Sequence, residues 1–235
     1  MGAELPLLLL VDLAAAGLTA LAVAPLIAAF DEAITRSAAG EALWPSLAAR
    51  LSDILSKPLD FFSSGAFVWM WIVYAATYAS ANSIKSVEAA FDFKLGFGAT
   101  FLVTIVNMSA KGGQSHTPRL ALLIWFLRDL VAFTFILTLP AVITARLGIA
   151  EEVAKFATPV LAQYFTTPLH LLGFNMCNKP TASLAQQLAD IKPGFFSTVA
   201  ARQMRIIPPY SIGGVLNGRL LSTAPLLLGL SKKQQ

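Results

Sequence analysis

Residues Lys155–Pro180, KFATPVLAQYFTTPLHLLGFNMCNKP, decide how this chain is read. No Asp, Glu, Lys or Arg lies between Lys155 and Lys179. A helix needs about 20 predominantly apolar residues to cross a bilayer, so the run is long enough. It is more than a lipid anchor, because Pro159, Gln163, Thr166, Thr167, Pro168 and His170 punctuate it. It closes on a polar knot of Asn175, Asn178, Lys179 and Pro180. Pro168 lacks a backbone donor and frees the carbonyl about four residues earlier, near Gln163 and Tyr164. Inside a membrane the threonines or a neighbouring helix must satisfy the freed groups. The pattern predicts a kinked helix end with a hydrogen-bonded His170, with a ligand or partner site on the same residues as the alternative.

Working outward, the rest of the chain has the same character. Of its 235 residues, 56% are hydrophobic and only 13% charged, where a soluble domain carries about 25% charged residues. The shortfall runs the whole length, which predicts an all-α polytopic membrane protein with about four to six membrane helices plus an amphipathic interfacial helix. One cysteine, Cys177, excludes an intramolecular disulfide framework and an all-Cys metal site. The net charge of +4 suits contact with anionic headgroups. No basic strand interleaved with aromatics argues for nucleic acid.

The chain divides into residues 1–58, an apolar helix and an amphipathic helix, and residues 59–235, a membrane helical bundle. Leu7–Phe30 is long enough to span, but Asp12 near its middle is costly in lipid, so it either spans or lies in the interface. Glu4 and Asp12 replace the basic n-region of a signal peptide. Within Glu41–Ser56, Leu43, Leu47, Leu51, Ile54 and Leu55 recur at helical spacing beside Trp44, with Arg50 and Asp53 on the other face. Phe61–Ile84, Leu95–Ala110, Arg119–Leu147 and Phe156–Phe174 are the core spans. The first of these exits through a small-polar run, Ala75–Ser83, that should be buried against protein. Thr181–Lys192 reads as a short surface helix that Ser183 caps. Leu220–Leu230 is too short to span unless joined to Ile206–Leu216 as a broken helix, with a re-entrant or interfacial arrangement as the alternative.

Arg128 and Asp129 interrupt the Arg119–Leu147 span. Neighbours on a helix point in different directions, which favours a snorkelling arginine or an inter-helix salt bridge over a substrate or proton role. Arg202 and Arg205 lie three apart on one helical face. With Lys179 and Lys192 they predict a basic lipid-headgroup pocket or plain positive anchoring. His116 and His170 fall at different depths, which argues against a bis-His haem. No catalytic, metal or nucleotide constellation is found. The chain is therefore expected not to be an enzyme, to hold no cofactor, and to have no soluble small-molecule substrate.

Two motifs carry a resemblance. QYFTTPLHLLGFNMCNKP, Gln163–Pro180, and RQMRIIPPYSIGGVLN, Arg202–Asn217, resemble a family of multi-spanning eukaryotic membrane proteins of mitochondrial type. In that family a TPLHLLG motif precedes an Asn-basic-Pro turn, an Arg-x-x-Arg-Ile-x-Pro stretch and a Gly-Gly-Val-x-Asn turn. The arrangement is more remotely similar to mitochondrial fission process proteins. The resemblance implies a multi-pass protein of the mitochondrial inner membrane, with cardiolipin as the lipid partner. It makes Gln163, Thr167, Pro168, His170, Asn175, Asn178 and Pro180 a structural or partner corner. The small-polar faces and the lack of a catalytic centre then favour an accessory subunit of a respiratory-chain or ATP-synthase complex. The alternatives are a small-solute transporter or channel, suited by broken helices and intramembrane Arg128, Asp129 and His170, and a membrane-shaping protein.

Overall fold

A computed structural model describes residues 4–111 and 117–229, and every element among them is helical. His116 lies outside the described residues. Eleven α-helices follow in order: α1 Leu5–Ala38, α2 Leu43–Ser56, α3 Pro58–Phe62, α4 Gly65–Phe91, α5 Phe97–Lys111, α6 Arg119–Phe133, α7 Leu139–Leu147, α8 Glu151–Asn178, α9 Leu184–Ala189, α10 Phe195–Ile207 and α11 Gly214–Leu227. Two π turns, Thr134–Thr138 and Pro208–Gly213, join α6 to α7 and α10 to α11.

α1 is the centre of the packing. Ala16, Ala20, Ala24 and Ala28 recur every four residues and are all buried. Small side chains on one stripe let a second helix approach closely, and α4 lies along it. Trp71 on α4 fixes the depth by donating its indole N–H to the Gly17 carbonyl at 3.1 Å. The segment that could have lain in the interface is therefore a central packing helix, with its alanine face buried and Leu10, Leu13 and Leu18 exposed on the other. α4 begins at Ser64, whose hydroxyl accepts from the Phe67 N–H.

α2 is amphipathic as its leucine spacing predicts, and it is docked. Leu47 joins Ala29, Phe30 and Ala33 of α1 in one buried cluster, and Leu43 joins Ile34 and Ala201 in another. Arg50 reaches Glu32 on α1 at 2.6 Å. Trp44 and Leu55 remain exposed, as suits a helix at the headgroup level.

From α1 the neighbours run α4, α5, α6, α8 and α10, and α10 packs back on α1, closing a ring. The outer surface of this ring is apolar. Leu10, Leu13, Leu18, Phe101, Ile105, Leu123, Leu127, Phe156 and Phe165 are all exposed. Its interior holds Asp12, Thr100, Thr104, Asn107, Arg128, Asp129, Gln163, Thr166, His170 and Arg202, all buried. A soluble protein has the reverse arrangement, so the solvent for this surface is lipid. Leu5–Ala38 and the continuous run Arg119–Leu147 are long and apolar enough to cross a bilayer. α4 and α8, with 27 and 28 residues, extend about 40 Å at 1.5 Å per residue.

Prolines mark the irregular places. Pro140 cannot donate to the carbonyl four residues back, and the π turn at Thr134–Thr138 sits immediately before it. The extra residue there brings Thr138 opposite Thr100 on α5, with the two hydroxyl oxygens 2.9 Å apart. Pro208 and Pro209 open the second π turn. Tyr78 donates its hydroxyl to the Pro209 carbonyl at 2.8 Å. A Cβ on Gly213 would lie 2.3 Å from that same hydroxyl oxygen, so glycine is needed there for the close approach. α10, this π turn and α11 thus run on as one broken helix from Phe195 to Leu227. Gly148, at φ 65°, ends α7.

The small-polar exit of α4 is engaged within the chain. Asn107 on α5 donates to the Thr77 hydroxyl at 2.8 Å. Asn82 and Asn217 exchange two amide hydrogen bonds of 3.0 Å each, and Asn82 also donates to the Asp12 carbonyl. Asn217→Leu is expected to destabilise the protein in mild detergent by about 1 kcal/mol. Adding Asn82→Leu should cost less than the sum of the two single changes, as read by a double-mutant cycle. Strict additivity would mean that the pair is not coupled.

Candidate functional site

The polar interior is densest where α1, α4, α6, α8 and α10 converge. On the stretch of α8 beyond Lys155, which carries no charge, Gln163, Thr166, Thr167 and His170 occupy one stripe at three- and four-residue spacing. All four are buried, and α6 and α10 pack against this helix.

α6 contributes Arg128 and Asp129. The Arg128 side chain curls back, donating from Nε to Asp129 Oδ1 at 2.8 Å and approaching it with Nη2 at 2.5 Å. Neighbouring residues on the helix do pair here, because the arginine stem is long enough to overcome their divergence. Arg128 does not snorkel; both residues are buried. Its Nη1 lies 2.6 Å from His170 Nδ1 on α8. A guanidinium can only donate, so Nδ1 accepts and a neutral imidazole carries its proton on Nε2. His170 is hydrogen-bonded as the Thr-Pro-Leu-His motif predicts, with its ring edge-on to Phe174 at 4.7 Å.

The α6–α8 contact is unusually close at Gly173. Trp125 donates its indole N–H to the His170 carbonyl at 3.3 Å. A Cβ on Gly173 would lie 2.1 Å from that same nitrogen. The glycine one turn after His170 therefore makes room for the ring that fixes the backbone beside it.

α10 contributes Arg202 and Arg205. They share one face, as their spacing predicts, but that face turns inward. Arg202 is 5% exposed. It donates from Nε to Gln163 Oε1 at 3.0 Å and from Nη2 to the Thr166 hydroxyl at 3.3 Å. Gln163 is held by its own donation to the Pro159 carbonyl at 3.0 Å. Arg205 forms a two-pronged ion pair with Asp31 of α1, with Nη2 to Oδ2 and Nε to Oδ1 both at 2.6 Å. It also lies over the Tyr74 ring at 5.9 Å. The four basic residues therefore do not form one headgroup pocket. Lys179 and Lys192 are exposed, while Arg202 and Arg205 turn toward acceptors on α8 and α1, Arg202 buried and Arg205 partly buried.

The polar knot is a structural turn. Asn175 donates to the Gln187 carbonyl at 2.9 Å, and Asn178 to the Ala38 carbonyl at 3.2 Å. Pro180 lies in the turn toward α9, which Ser183 caps through the Gln186 N–H. Lys179 meets Asp190 at 2.6 Å, and that hydrogen bond holds the Asp190 carboxyl below its usual range. Thr167 is fully buried, and its hydroxyl finds no partner among the described residues.

Charge summation is the chemical character of the centre. Three arginines, two aspartates, one neutral histidine and one glutamine cluster here, all buried except the partly buried pair Arg205 and Asp31. Their fields overlap: Arg128, Arg205, Asp31 and Asp129 all act on Arg202. Such a set can receive a small solute that carries both a positive and a negative group. A separate groove of about 290 Å³ between α1 and α11, lined by Leu7, Leu10, Ala14, Leu18, Leu220 and Ala224, is apolar and offers none of this chemistry.

The stripe on α8 was visible in the sequence as polar residues at helical spacing. Asp31 was missed. It stands just past the apolar run Leu7–Phe30, and its partner Arg205 lies 174 residues away. The meeting of Arg128 with His170 is equally non-local.

Against protein-family models, residues 15–111 and 97–223 match the model described as probable citrulline exporter. No curated protein matches the chain, and no solved structure does. The likeness to fission process proteins draws no support from the family match.

Proposed function

The chain belongs to the probable citrulline exporter family, and from that premise we propose that it carries a small zwitterionic amino acid of the citrulline class across a lipid bilayer. The observation that supports this reading best is the inward-facing Arg–Asp–His–Gln centre contributed by four helices, α1, α6, α8 and α10, beneath an apolar outer surface. Polar groups at membrane depth are expensive and mark solute paths more often than packing. Citrulline offers an ammonium, a carboxylate and an uncharged ureido group. Aspartate, arginine and the neutral pair Gln163 and His170 are the matching chemistries.

The two π turns support movement around this centre. They interrupt the helices that carry Arg128 and Arg202, six residues beyond each. Interrupted helices flank substrate sites in many transporters. Their weakened hydrogen bonding provides places where a helix can bend without unfolding.

The accessory-subunit reading yields to this one. It drew on small-polar faces available to partner chains, and those faces are occupied inside the protein by Asn107 and Asn217. Non-enzymatic function and residence in the mitochondrial inner membrane remain part of the proposal. The address rests on the resemblance carried by Gln163–Pro180 and Arg202–Asn217, and cardiolipin contact is proposed for exposed Lys179 and Lys192.

The test is counterflow in proteoliposomes. Vesicles containing the purified protein and preloaded with citrulline should take up labelled citrulline faster than protein-free vesicles. Uptake indistinguishable from protein-free vesicles, for citrulline and for a panel of other amino acids, would sink the transporter reading.

A further inference from the structure

The three arginines of this centre are not equivalent. Arg128 is matched by Asp129 at 2.5 Å, and Arg205 by Asp31 at 2.6 Å. Arg202, the most deeply buried of the three, touches only the neutral oxygens of Gln163 and Thr166. No carboxylate lies within ion-pair distance of it among the described residues. Two of its five N–H donors are used in those bonds, so a second edge of the guanidinium keeps its donors for another acceptor. Counting the three arginines against Asp31 and Asp129, one positive charge is left over, at Arg202. A buried charge without a counter-ion is costly, and the pairing of both sister arginines shows what this interior supplies when no ligand is intended.

We propose that Arg202 is the anchor for a carboxylate on the transported solute. The carboxylate completes the charge balance of the centre and takes two parallel N–H···O bonds from the guanidinium, the geometry in which arginine binds a carboxylate best. Gln163 and Thr166 hold the guanidinium in place from its other side. Gln163 is itself fixed to the Pro159 carbonyl, so the anchor is preorganised before the solute arrives. Arg202, Gln163 and Thr166 are therefore a binding unit, and the Arg128–Asp129–His170 unit is left to meet the remainder of the solute.

This inference rests on the transporter reading, and two measurements separate their failures. Counterflow with the unaltered protein tests transport itself. Ligand-induced thermal stabilisation of the purified protein in mild detergent tests the anchor. Citrulline is expected to raise the unfolding midpoint, and citrulline methyl ester, with its carboxylate blocked, is expected not to. Arg202→Gln should weaken citrulline binding at least about thirtyfold. Arg202→Lys, which keeps the charge but loses the fork, should lie between the two. If either arginine variant does not fold, the comparison of citrulline with its ester on the unaltered protein decides alone. Stabilisation by the ester equal to that by citrulline, full citrulline binding by Arg202→Gln, or no stabilisation of the unaltered protein by any amino acid would each overturn the anchor. Loss of counterflow with citrulline binding intact would overturn the transporter reading and leave the anchor standing.

Discussion

Replacing Asp129 with Asn is expected to cost about 3–5 kcal/mol of stability, the penalty for stripping a buried arginine of its counter-ion. Arg128 has nowhere else to place its charge. It is buried, its other polar contact is the neutral His170, and the Arg205 carboxylate partner is already bound on both oxygens. The double substitution Arg128→Met with Asp129→Leu removes both charges together and should be milder than Asp129→Asn alone, because an apolar pair of similar volume carries no desolvation penalty. The remaining cost is the acceptor on His170, about 1–3 kcal/mol. Equilibrium unfolding in mixed micelles, with the two variants side by side, reads the order directly. A double variant less stable than Asp129→Asn would mean that the pair contributes more than mutual compensation.

A single methyl at position 173 should be nearly as damaging. Gly173→Ala places Cβ 2.1 Å from Trp125 Nε1 and within 2.7 Å of two further ring atoms. Real side-chain carbons do not approach so closely, and an indole cannot bend away as a lysine tip can. Either α6 and α8 separate or the ring leaves its place, losing the bond to the His170 carbonyl and the edge-on contact with Phe174. Overpacking of this kind costs about 1–3 kcal/mol. Trp125→Phe, which removes the clashing edge, should restore most of the stability of Gly173→Ala. Thermal unfolding of both single variants and the double variant measures the rescue. No rescue would place the strain elsewhere than between these two residues.

These expectations concern contacts whose partners the sequence does not announce. What could be read from it follows short-range rules. The charge shortfall and the span lengths indicate helices in a membrane. The leucine spacing of Glu41–Ser56 indicates an amphipathic helix, and Ser183 indicates a cap. Prolines 140, 208 and 209 mark the irregular turns, though not that each becomes a π turn. Arg202 and Arg205 were visible as one face, but the direction of that face depends on acceptors elsewhere in the chain. Asp31 meets Arg205 and Gln163 meets Arg202 through the closure of the helix ring, and periodicity along one helix carries no record of its neighbours. The broad transporter class was legible as an alternative, from broken helices and intramembrane charge. It overtook the subunit reading only with the family match and the convergence of five helices.

Pairing between sequence neighbours has a further meaning for biosynthesis. A chain enters the bilayer from its N-terminus, and α6 emerges before α8 and α10 exist. A lone arginine or aspartate at the centre of an inserting helix costs about 2.5–3.5 kcal/mol, but Arg128 and Asp129 emerge together and neutralise one another at once. Asp31 has no such companion in its own helix for this purpose. Its guanidinium is made 174 residues later, a wait of about 10–35 s at cellular elongation rates. The nascent protein must therefore keep the Asp31 end of α1 in contact with water or with the insertion machinery until α10 arrives, and the ring of helices is sealed by the last arginine synthesised for it.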